Sequence, residues 1–530
     1  MRLPRNHPRR LRLALYRRMA SLVKVCGVVC ISLLLCTCSG GQPGSSASAQ
    51  GHGVLVIAVD ALRADHMGIF GYDRNTTPVM DELCAGAVAF EDTWSAAPSL
   101  LPAHCALLTG SDPNVSRRLF LLESEVADES RFEIKDQTPH AAVTFLSAGY
   151  RTAAFVDHAK LNPVLGFGSG FQEYSPIGKV NPGTGLAGSD VGLAGTSRRL
   201  LDWARGLDRD QDWFSYLQVS DLERVWNHSD PAADGYFEPR PGMSNVPPIS
   251  NDAEAFFAQP RSRWTGGAVS LGQYEARYDG RLHRLDQELG ALFEDLRRAG
   301  LWENTTICIV GSFGVQFGEA GLILDHGLYS SADLRVPLII RPSTGNEFDS
   351  GHTSTNLAST EDVIPTLLEL SGIPEPPGMV GVSQVPSLVA GGKPSRTFAF
   401  ASCGYQEGGL VVGPQYALEQ VSPGQTLGVH GPGLTRGWFG DEEEHPTAMR
   451  ERFYDRRLYP LPNYRLQDEF LERTVPDDEK KLLKEAAIDR YFYSGMARRV
   501  LHGPKWRREE TVEPSVIDKL VELEFLSGKP

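Results

Sequence analysis

Apolar runs and amphipathic segments alternate along most of this chain. The apolar runs are short, continuous and rich in β-branched residues, and they lie at residues 54–59, 152–156, 213–219, 307–310 and 336–340. Such runs are typical of strands that are covered on both faces in a sheet with parallel strands. Helical patterns lie between them, after Thr77-Pro78 and at residues 274–300 and 360–372. We therefore predict a doubly wound α/β domain over residues 53–395.

The ends of these runs mark where a site should lie. Asp60 directly follows the first run, and a polar segment follows Val310. In open α/β sheets, ligands bind beyond the carboxyl ends of the strands. These two positions are the first candidates for chemistry.

Two regions depart from the alternation. Residues 224–268 are rich in Pro, Asn, Ser and Gly, which indicates a surface excursion, and we expect individual specificity to lie there. From residue 396 the runs become shorter and charged helical stretches follow them. This pattern predicts a small antiparallel α+β domain over residues 396–530.

The N-terminus has the pattern of an export signal. Residues 1–24 are Arg-rich and residues 25–35 are apolar. The apolar run is shorter than the roughly 20 residues that a spanning helix needs. We predict a signal peptide over residues 1–38, followed by a flexible Ser/Gly tether over residues 39–52.

The end of this signal resembles the bacterial lipoprotein processing box, which implies lipidation of Cys38. Thr37 departs from the small residue usual before the cysteine, Cys36 is a competitor, and Met19 is an alternative start. The resemblance implies a protein anchored in the bacterial cell envelope through a lipid on Cys38. A plain signal peptide, with secretion, is the alternative.

Charge and cysteine usage narrow the function classes. The chain has 530 residues with 41% apolar and 22% charged side chains, which is ordinary for a globular protein. Its net charge is -14, but residues 1–38 hold eight of the 52 basic residues and no acid, so 44 basic and 66 acidic residues remain, a charge of -22. An acidic body argues against nucleic-acid binding. The cysteines after Cys38 are scattered and predict neither disulfides nor zinc; they are Cys84, Cys105, Cys308 and Cys403.

A series of motifs gives this chain its family resemblance. The stretch that begins VLVIAVDALRADHMG, at residues 54–68, resembles the sulfatase family of the alkaline-phosphatase-like superfamily, in the branch that opens D-T-L-R-A-D-H-x-G. Similar family segments follow in order at residues 149–156, 166–174, 335–342, 361–374 and 453–455. The resemblance implies a large mixed sheet flanked by helices and a small C-terminal sheet domain.

The resemblance also implies a reaction. The family hydrolyses sulfate or phosphate esters with a divalent cation and a Cys or Ser nucleophile converted to formylglycine. The cation takes oxygen ligands from an Asp that ends the first strand and from an Asp-His or Asp-Asn pair after a later strand. Here Asp60 matches the first ligand. The nucleophile position is Leu100, which has no nucleophilic atom, and His104 replaces the motif arginine.

The remaining site positions are also changed. Aligned on F-G-E, Ser312 and Phe313 stand where the ligand pair belongs, while His326 keeps the family's substrate-side histidine. Relatives also have an H-x-x-D-P-H pattern after the strand at residues 214–217, and this chain keeps its aspartate, Asp221, but neither histidine. Near Leu100 two other side chains are candidate nucleophiles, but we interpret Ser99 as a helix cap and Cys105 as a core residue.

The motifs and the N-terminal signal together predict a sulfatase-fold protein that is anchored in the envelope. The substitutions at the site predict that it is catalytically inactive and has no cofactor. An active sulfuric ester hydrolase is the alternative, with altered site chemistry that uses Asp60, His104, Glu319 and His326, a water nucleophile and a divalent cation, Ca²⁺ or Mg²⁺. A second alternative is a binding module that takes a glycan, a sulfated ligand or a partner in the old pocket.

Overall fold

The predicted apolar runs form the centre of an eight-stranded sheet in the computed structural model. The structure describes residues 51–119, 132–135, 138–176, 191–223, 230–242, 270–317, 326–327, 329–345, 348, 350–402, 408–421, 450–455 and 475–502. The strands of this sheet are β1 (Gly53–Val59), β2 (Val88–Phe90), β6 (Arg151–Val156), β7 (Glu173–Pro176), β8 (Trp213–Val219), β9 (Thr305–Gly311), β10 (Leu338–Arg341) and β11 (His352–Ser354). They lie in the order β11-β2-β10-β9-β1-β8-β6-β7.

The sheet is mixed, with a parallel centre. β1 is parallel to both of its neighbours, β8 and β9, and is buried along its whole length. β10 is antiparallel to β9 and β2. The predicted α/β class with a large mixed sheet is therefore confirmed.

Ten α-helices lie in the described part of the chain. They are α1 (Pro78–Leu83), α2 (Leu100–Thr109), α3 (Pro113–Ser116), α4 (Ala141–Ser147), α5 (Gly192–Ala204), α6 (Pro231–Asp234), α7 (Leu271–Arg298), α8 (Ser331–Leu334), α9 (Val363–Leu370) and α10 (Asp477–His502). α7 begins before the predicted residue 274 because Ser270 and Gln273 form a capping box. None of the helices described has an apolar stretch long enough to cross a bilayer.

The strand register brings the candidate positions to one level. Val59 of β1 pairs with Val219 of β8 and with Gly311 of β9. The residues that follow these three strands therefore emerge side by side at the carboxyl edge. This register places Asp60 between Ser220 and Ser312.

The backbone after Asp60 has an unusual conformation. Ala61 has φ 57°, a left-handed value that side-chain-bearing residues rarely adopt. The buried Tyr278 of α7 holds this turn, because its hydroxyl donates to the Ala61 carbonyl at 2.7 Å and accepts from the Arg63 N–H at 3.0 Å. The chain thus turns sharply directly after Asp60, at the carboxyl end of β1.

A small antiparallel sheet follows the large one. It consists of β13 (Ala399–Ala401), β14 (Gly408–Val412), β15 (Tyr416–Val421) and β16 (Arg450–Asp455), in sequence order. Two-stranded pairs join β3 (Thr93–Trp94) to β12 (Ala358–Ser359) and β4 (Arg117–Leu119) to β5 (Phe132–Ile134). The predicted C-terminal antiparallel sheet is confirmed.

One arginine ties α10 to the large sheet domain. Arg490 donates through Nε to Asp112 at 3.1 Å and through its guanidinium to Glu361. Glu361 is fully buried, and burial raises the pKa of its carboxyl although the positive charge of Arg490 acts the other way. This ion pair lies beyond the C-terminal end of α2, whose N-terminal end carries Leu100.

Part of the excursion predicted at 224–268 lies within the described residues. Its helix α6 packs on α7, where the Ala233 carbonyl approaches Gly280 so closely that a Cβ there would lie 1.8 Å away. Arg281 of α7 donates to Asp234 at 2.8 Å. Cys84, Cys105 and Cys308 are buried, and none of these three forms a disulfide bond. The predictions for Cys38, Glu319, Cys403 and residues 1–52 concern positions that are outside the described residues, apart from residues 51 and 52.

Candidate functional site

Asp60 is the centre of the candidate site. Its carboxylate is fully buried at the end of β1. Oδ1 accepts hydrogen bonds from His104 Nε2 at 2.7 Å and from Ser312 Oγ at 2.5 Å. Oδ2 accepts from Gln218 Nε2 at 2.5 Å and from Ser220 Oγ at 3.1 Å. A carboxylate offers about four lone-pair positions, so these protein donors occupy all of them.

The donors come from three different elements. Ser312 follows β9, Gln218 and Ser220 lie at the end of β8, and His104 reaches across from α2. Gln218 is held in turn, because its Oε1 accepts the Asp157 N–H at 2.8 Å. This arrangement, which we call the Asp60 cage, consists of Asp60, His104, Gln218, Ser220 and Ser312.

Hydrogen bonds and charge keep the Asp60 carboxyl ionised. Burial alone would raise its pKa, but the interactions with His104 and Ser312 outweigh burial and lower the pKa below its ordinary value. The second ring nitrogen of His104, Nδ1, lies 2.6 Å from the Tyr216 hydroxyl. Burial, followed by the charge of Asp60, raises the pKa of Tyr216 well above its ordinary value, so the phenol stays protonated.

The nucleophile position contains no reactive atom. Leu100 is the first residue of α2 and is only 2% exposed. Ser99 is the N-cap residue of α2, as predicted, and has the extended backbone of that position, although its side chain makes no cap hydrogen bond. Cys105 is buried, as expected of a core residue.

The second ligand segment is filled by an aromatic ring. Phe313 is fully buried and packs against the His326 ring at a centroid distance of 4.5 Å. His326 is half-buried, and its Nδ1 lies 3.1 Å from the Pro98 carbonyl. The structure therefore brings His326 to the Phe313 side of the site.

Asp221 has a structural role instead of a place in the cage. Its Oδ2 accepts the Leu193 N–H at 2.9 Å, at the start of α5. Asp221 thus stabilises a helix N-terminus, where a carboxylate is favoured.

A second polar cluster was missed from the sequence. His66, Glu275 and Asp279 bring three ligand-type atoms within 4.8 Å of one another. Asp279 is buried and accepts from His66 Nδ1 at 2.8 Å, from the Tyr72 hydroxyl at 2.8 Å and from Arg74 at 2.6 Å. His66 and Tyr72 lie close to the first family motif in the sequence, but Asp279, to which both are hydrogen-bonded, lies more than 200 positions away.

Neither cluster suits a divalent cation. In the Asp60 cage every carboxylate lone pair already accepts a hydrogen bond, and Phe313 offers no ligand atom at the second ligand position. In the second cluster the Arg74 guanidinium forms an ion pair with Asp279, and Arg240 Nε lies 3.3 Å from Glu275 Oε2. A cation there would have to displace these arginines against their positive charge. The residues present do not fit the family's metal.

Comparisons with known proteins define the class. A phosphonate monoester hydrolase of Agrobacterium radiobacter superposes with a TM-score of 0.60 and 16% identity, covering 84% of this chain and 96% of that one. A 2-O GAG sulfatase superposes with a TM-score of 0.58 and 17% identity, over 88% and 96% of the two chains. The large mixed sheet and its small antiparallel partner thus have the fold of the alkaline-phosphatase superfamily.

Sequence comparison then identifies the family. The sulfatase family model matches residues 52–373. A sulfatase of Formosa agariphila is 23% identical over 380 residues, covering 60% of this chain and 69% of that protein. Human arylsulfatase A is 25% identical over 411 residues, covering 70% and 73%. The chain belongs to the sulfatase family.

Proposed function

We propose that this protein is a sulfatase-family member that does not catalyse ester hydrolysis at the family site. The observation that carries the proposal is the closure of the Asp60 cage, in which protein donors occupy every lone pair of the carboxylate. A carboxylate closed in this way cannot coordinate a cation or take a proton from water without losing those hydrogen bonds.

The helix start supports the same conclusion. The family reaction needs a nucleophile at the N-terminus of α2, where backbone N–H groups favour a developing anion. Leu100 supplies only a buried hydrocarbon there. Replacement of the nucleophile and closure of the metal position are independent obstacles, so a change at one of them does not restore the reaction.

Elemental analysis and turnover assays test this proposal together. We expect the purified protein to contain no stoichiometric Ca²⁺, Mg²⁺, Mn²⁺ or Zn²⁺. The substrates to be tested are an aryl sulfate, a phosphonate monoester and a 6-O-sulfated N-acetylglucosamine. They are chosen from the names of similar proteins, which are arylsulfatase A, the phosphonate monoester hydrolase and an N-acetylglucosamine-6-O-sulfatase of Bacteroides thetaiotaomicron. Rates should equal those of Asp60→Ala.

The matched positive control is an active sulfatase assayed in the same preparation buffers. Turnover by the wild-type chain that disappears in Asp60→Ala, with the variant shown by circular dichroism to be folded at the assay temperature, would establish an altered but active site and contradict the proposal. Turnover equal in both proteins would point to a contaminant, which a second purification route removes.

We also propose that the protein is exported and anchored to the envelope through Cys38. The support is the order of the Arg-rich segment, the apolar run and the cysteine in the sequence. Cys38→Ser should move the protein from the membrane fraction to the soluble fraction and abolish labelling by a radioactive fatty acid. Cys36→Ser is the matched control and should leave both unchanged; the opposite result would transfer the anchor to Cys36.

A further inference from the structure

The closed carboxylate suggests how this fold is held together without the family's cation. We propose that the Asp60 cage, with the His104 imidazole at its centre, holds the three central strands and α2 together, so that the chain folds and stays folded without a metal ion. This inference rests on the proposed function, because it assumes that the metal position has been given up.

The cage joins four elements at the carboxyl edge of the large sheet. Asp60 follows β1, Gln218 lies in β8 and Ser220 follows that strand, and Ser312 follows β9. These are the three central strands of the sheet. His104 adds α2 to them. Four hydrogen bonds of 2.5 to 3.1 Å converge on one buried carboxylate and tie three strands and a helix together.

A further bond closes this junction above the strand end. The Ser95 hydroxyl donates to the Ser312 carbonyl at 2.5 Å, which holds the residue that follows β9. This bond fixes the backbone of Ser312, the residue whose hydroxyl donates to Asp60.

His104 is bound at both ring nitrogens. Its Nε2 lies on Asp60 and its Nδ1 on Tyr216, and the three side chains are buried, with at most 1% of their surface exposed. If the ring were removed, the space left would be the size of an imidazole, with a carboxylate on one side and a phenol on the other. Free imidazole is complementary to that space, whereas a hydrated divalent ion would find a single carboxylate.

Chemical rescue tests this arrangement. We expect His104→Gly in the full-length chain to melt at a lower temperature than the wild type, and imidazole to recover part of the loss in a saturable way. At an imidazole concentration ten times its dissociation constant the melting temperature should rise by about 2 °C. Mg²⁺ and Ca²⁺ should give no rise.

A second buried histidine provides the matched control. His140 is 2% exposed, its Nδ1 accepts the Ala142 N–H at 3.3 Å, and burial lowers its pKa to about 4. Imidazole should stabilise His140→Gly less than His104→Gly, because the His140 Nε2 is buried without a hydrogen-bond partner among the described residues, whereas the His104 Nε2 lies on a carboxylate. Equal responses of the two variants would mean that imidazole fills any cavity and would overturn the assignment.

The wild-type chain gives an independent reading. Dialysis against EDTA should leave its melting temperature unchanged, and a drop that Ca²⁺ or Mg²⁺ reverses would overturn the inference. If His104→Gly cannot be isolated folded, Tyr216→Phe, which keeps the ring and removes one bond to it, should be destabilised relative to the wild type. Wild-type stability of Tyr216→Phe would then count against a fixed imidazole.

Failure of this inference is distinguishable from failure of the proposed function. Ester hydrolysis with no effect of EDTA on stability would sink the proposed function and leave the cage as the structural link. Loss of stability in EDTA by a protein without turnover would sink the cage and leave the proposed function.

Discussion

Replacement of Asp60 distinguishes the cage from an empty metal site. In an empty metal site, a ligand carboxylate is an unpaired buried charge, and removing it from the metal-free protein leaves stability unchanged or raises it. In the cage, the carboxylate accepts four hydrogen bonds from buried donors, so its removal leaves those donors without their acceptor. The two descriptions predict opposite signs.

The magnitude follows from what the donors can do afterwards. Gln218 Nε2 can still donate to Ser220 Oγ at 2.7 Å, and Ser312 can donate to the Val59 carbonyl at 3.4 Å, but the Ser220 hydroxyl proton loses its acceptor. His104 Nε2 loses its partner, and Gln218 loses the shortest of its contacts. With about 1–3 kcal/mol for each unsatisfied buried donor, Asp60→Ala should cost about 3–5 kcal/mol. Asp60→Asn keeps one acceptor oxygen and should cost about half of that.

Denaturant unfolding followed by circular dichroism measures both variants. The expected result is a lower midpoint at an unchanged slope, in the order wild type, Asn and Ala. All samples are dialysed against EDTA, so that metal cannot contribute. A midpoint of Asp60→Ala at or above that of the wild type would refute the cage and restore the interpretation as an empty metal site.

Four further predictions concern the surrounding structure. Leu100→Cys should show no turnover of an aryl sulfate, because the cage still excludes a cation. Arg490→Met should cost about 3 kcal/mol and expose α10 to limited proteolysis before the rest of the chain, and Lys should restore part of the loss. Gly280→Ala should lower the melting temperature, since its Cβ would lie 1.8 Å from a carbonyl oxygen. Gly290→Ala on the same helix would meet only the Val79 side chain, at 3.2 Å, and should cost much less. Burial raises the pKa of Asp286 from 3.8 to about 7, so the contribution of its protonated carboxyl to stability is full below pH 3.8 and is lost as the pH rises through about 7. In urea titrations at a series of pH values, Asp286→Asn should flatten this part of the stability profile. An unchanged pH dependence in the variant would contradict the assignment.

Local pattern was sufficient for the main elements. The apolar runs predicted β1 and β8 to within one residue, because a strand buried on both faces must be apolar along its whole length. Thr77-Pro78 predicted the start of α1, although the Thr77 side chain makes no cap hydrogen bond. The start of β10 was placed two residues early, since Val336 bonds the Thr93 carbonyl of β3 instead.

The substitutions at the family's site positions were also readable from the sequence. A leucine cannot be a nucleophile and a phenylalanine cannot be a metal ligand in any fold, so Leu100 and Phe313 were informative once the motifs had placed them. Asp60 could be placed at a strand end for the same reason that β1 could be predicted.

The contacts that the substituted residues make were decided only by the tertiary structure. From the sequence, His104 is a weakened basic group and Ser312 is a poor ligand, and the sequence does not show that both donate to the same carboxylate. Ser312 lies 252 positions from Asp60, and the two meet because Val59 and Gly311 share one register in the parallel sheet. Hydrogen-bond partners across such distances depend on strand order and on the side chain that α2 turns inward, and neither is encoded in a local pattern.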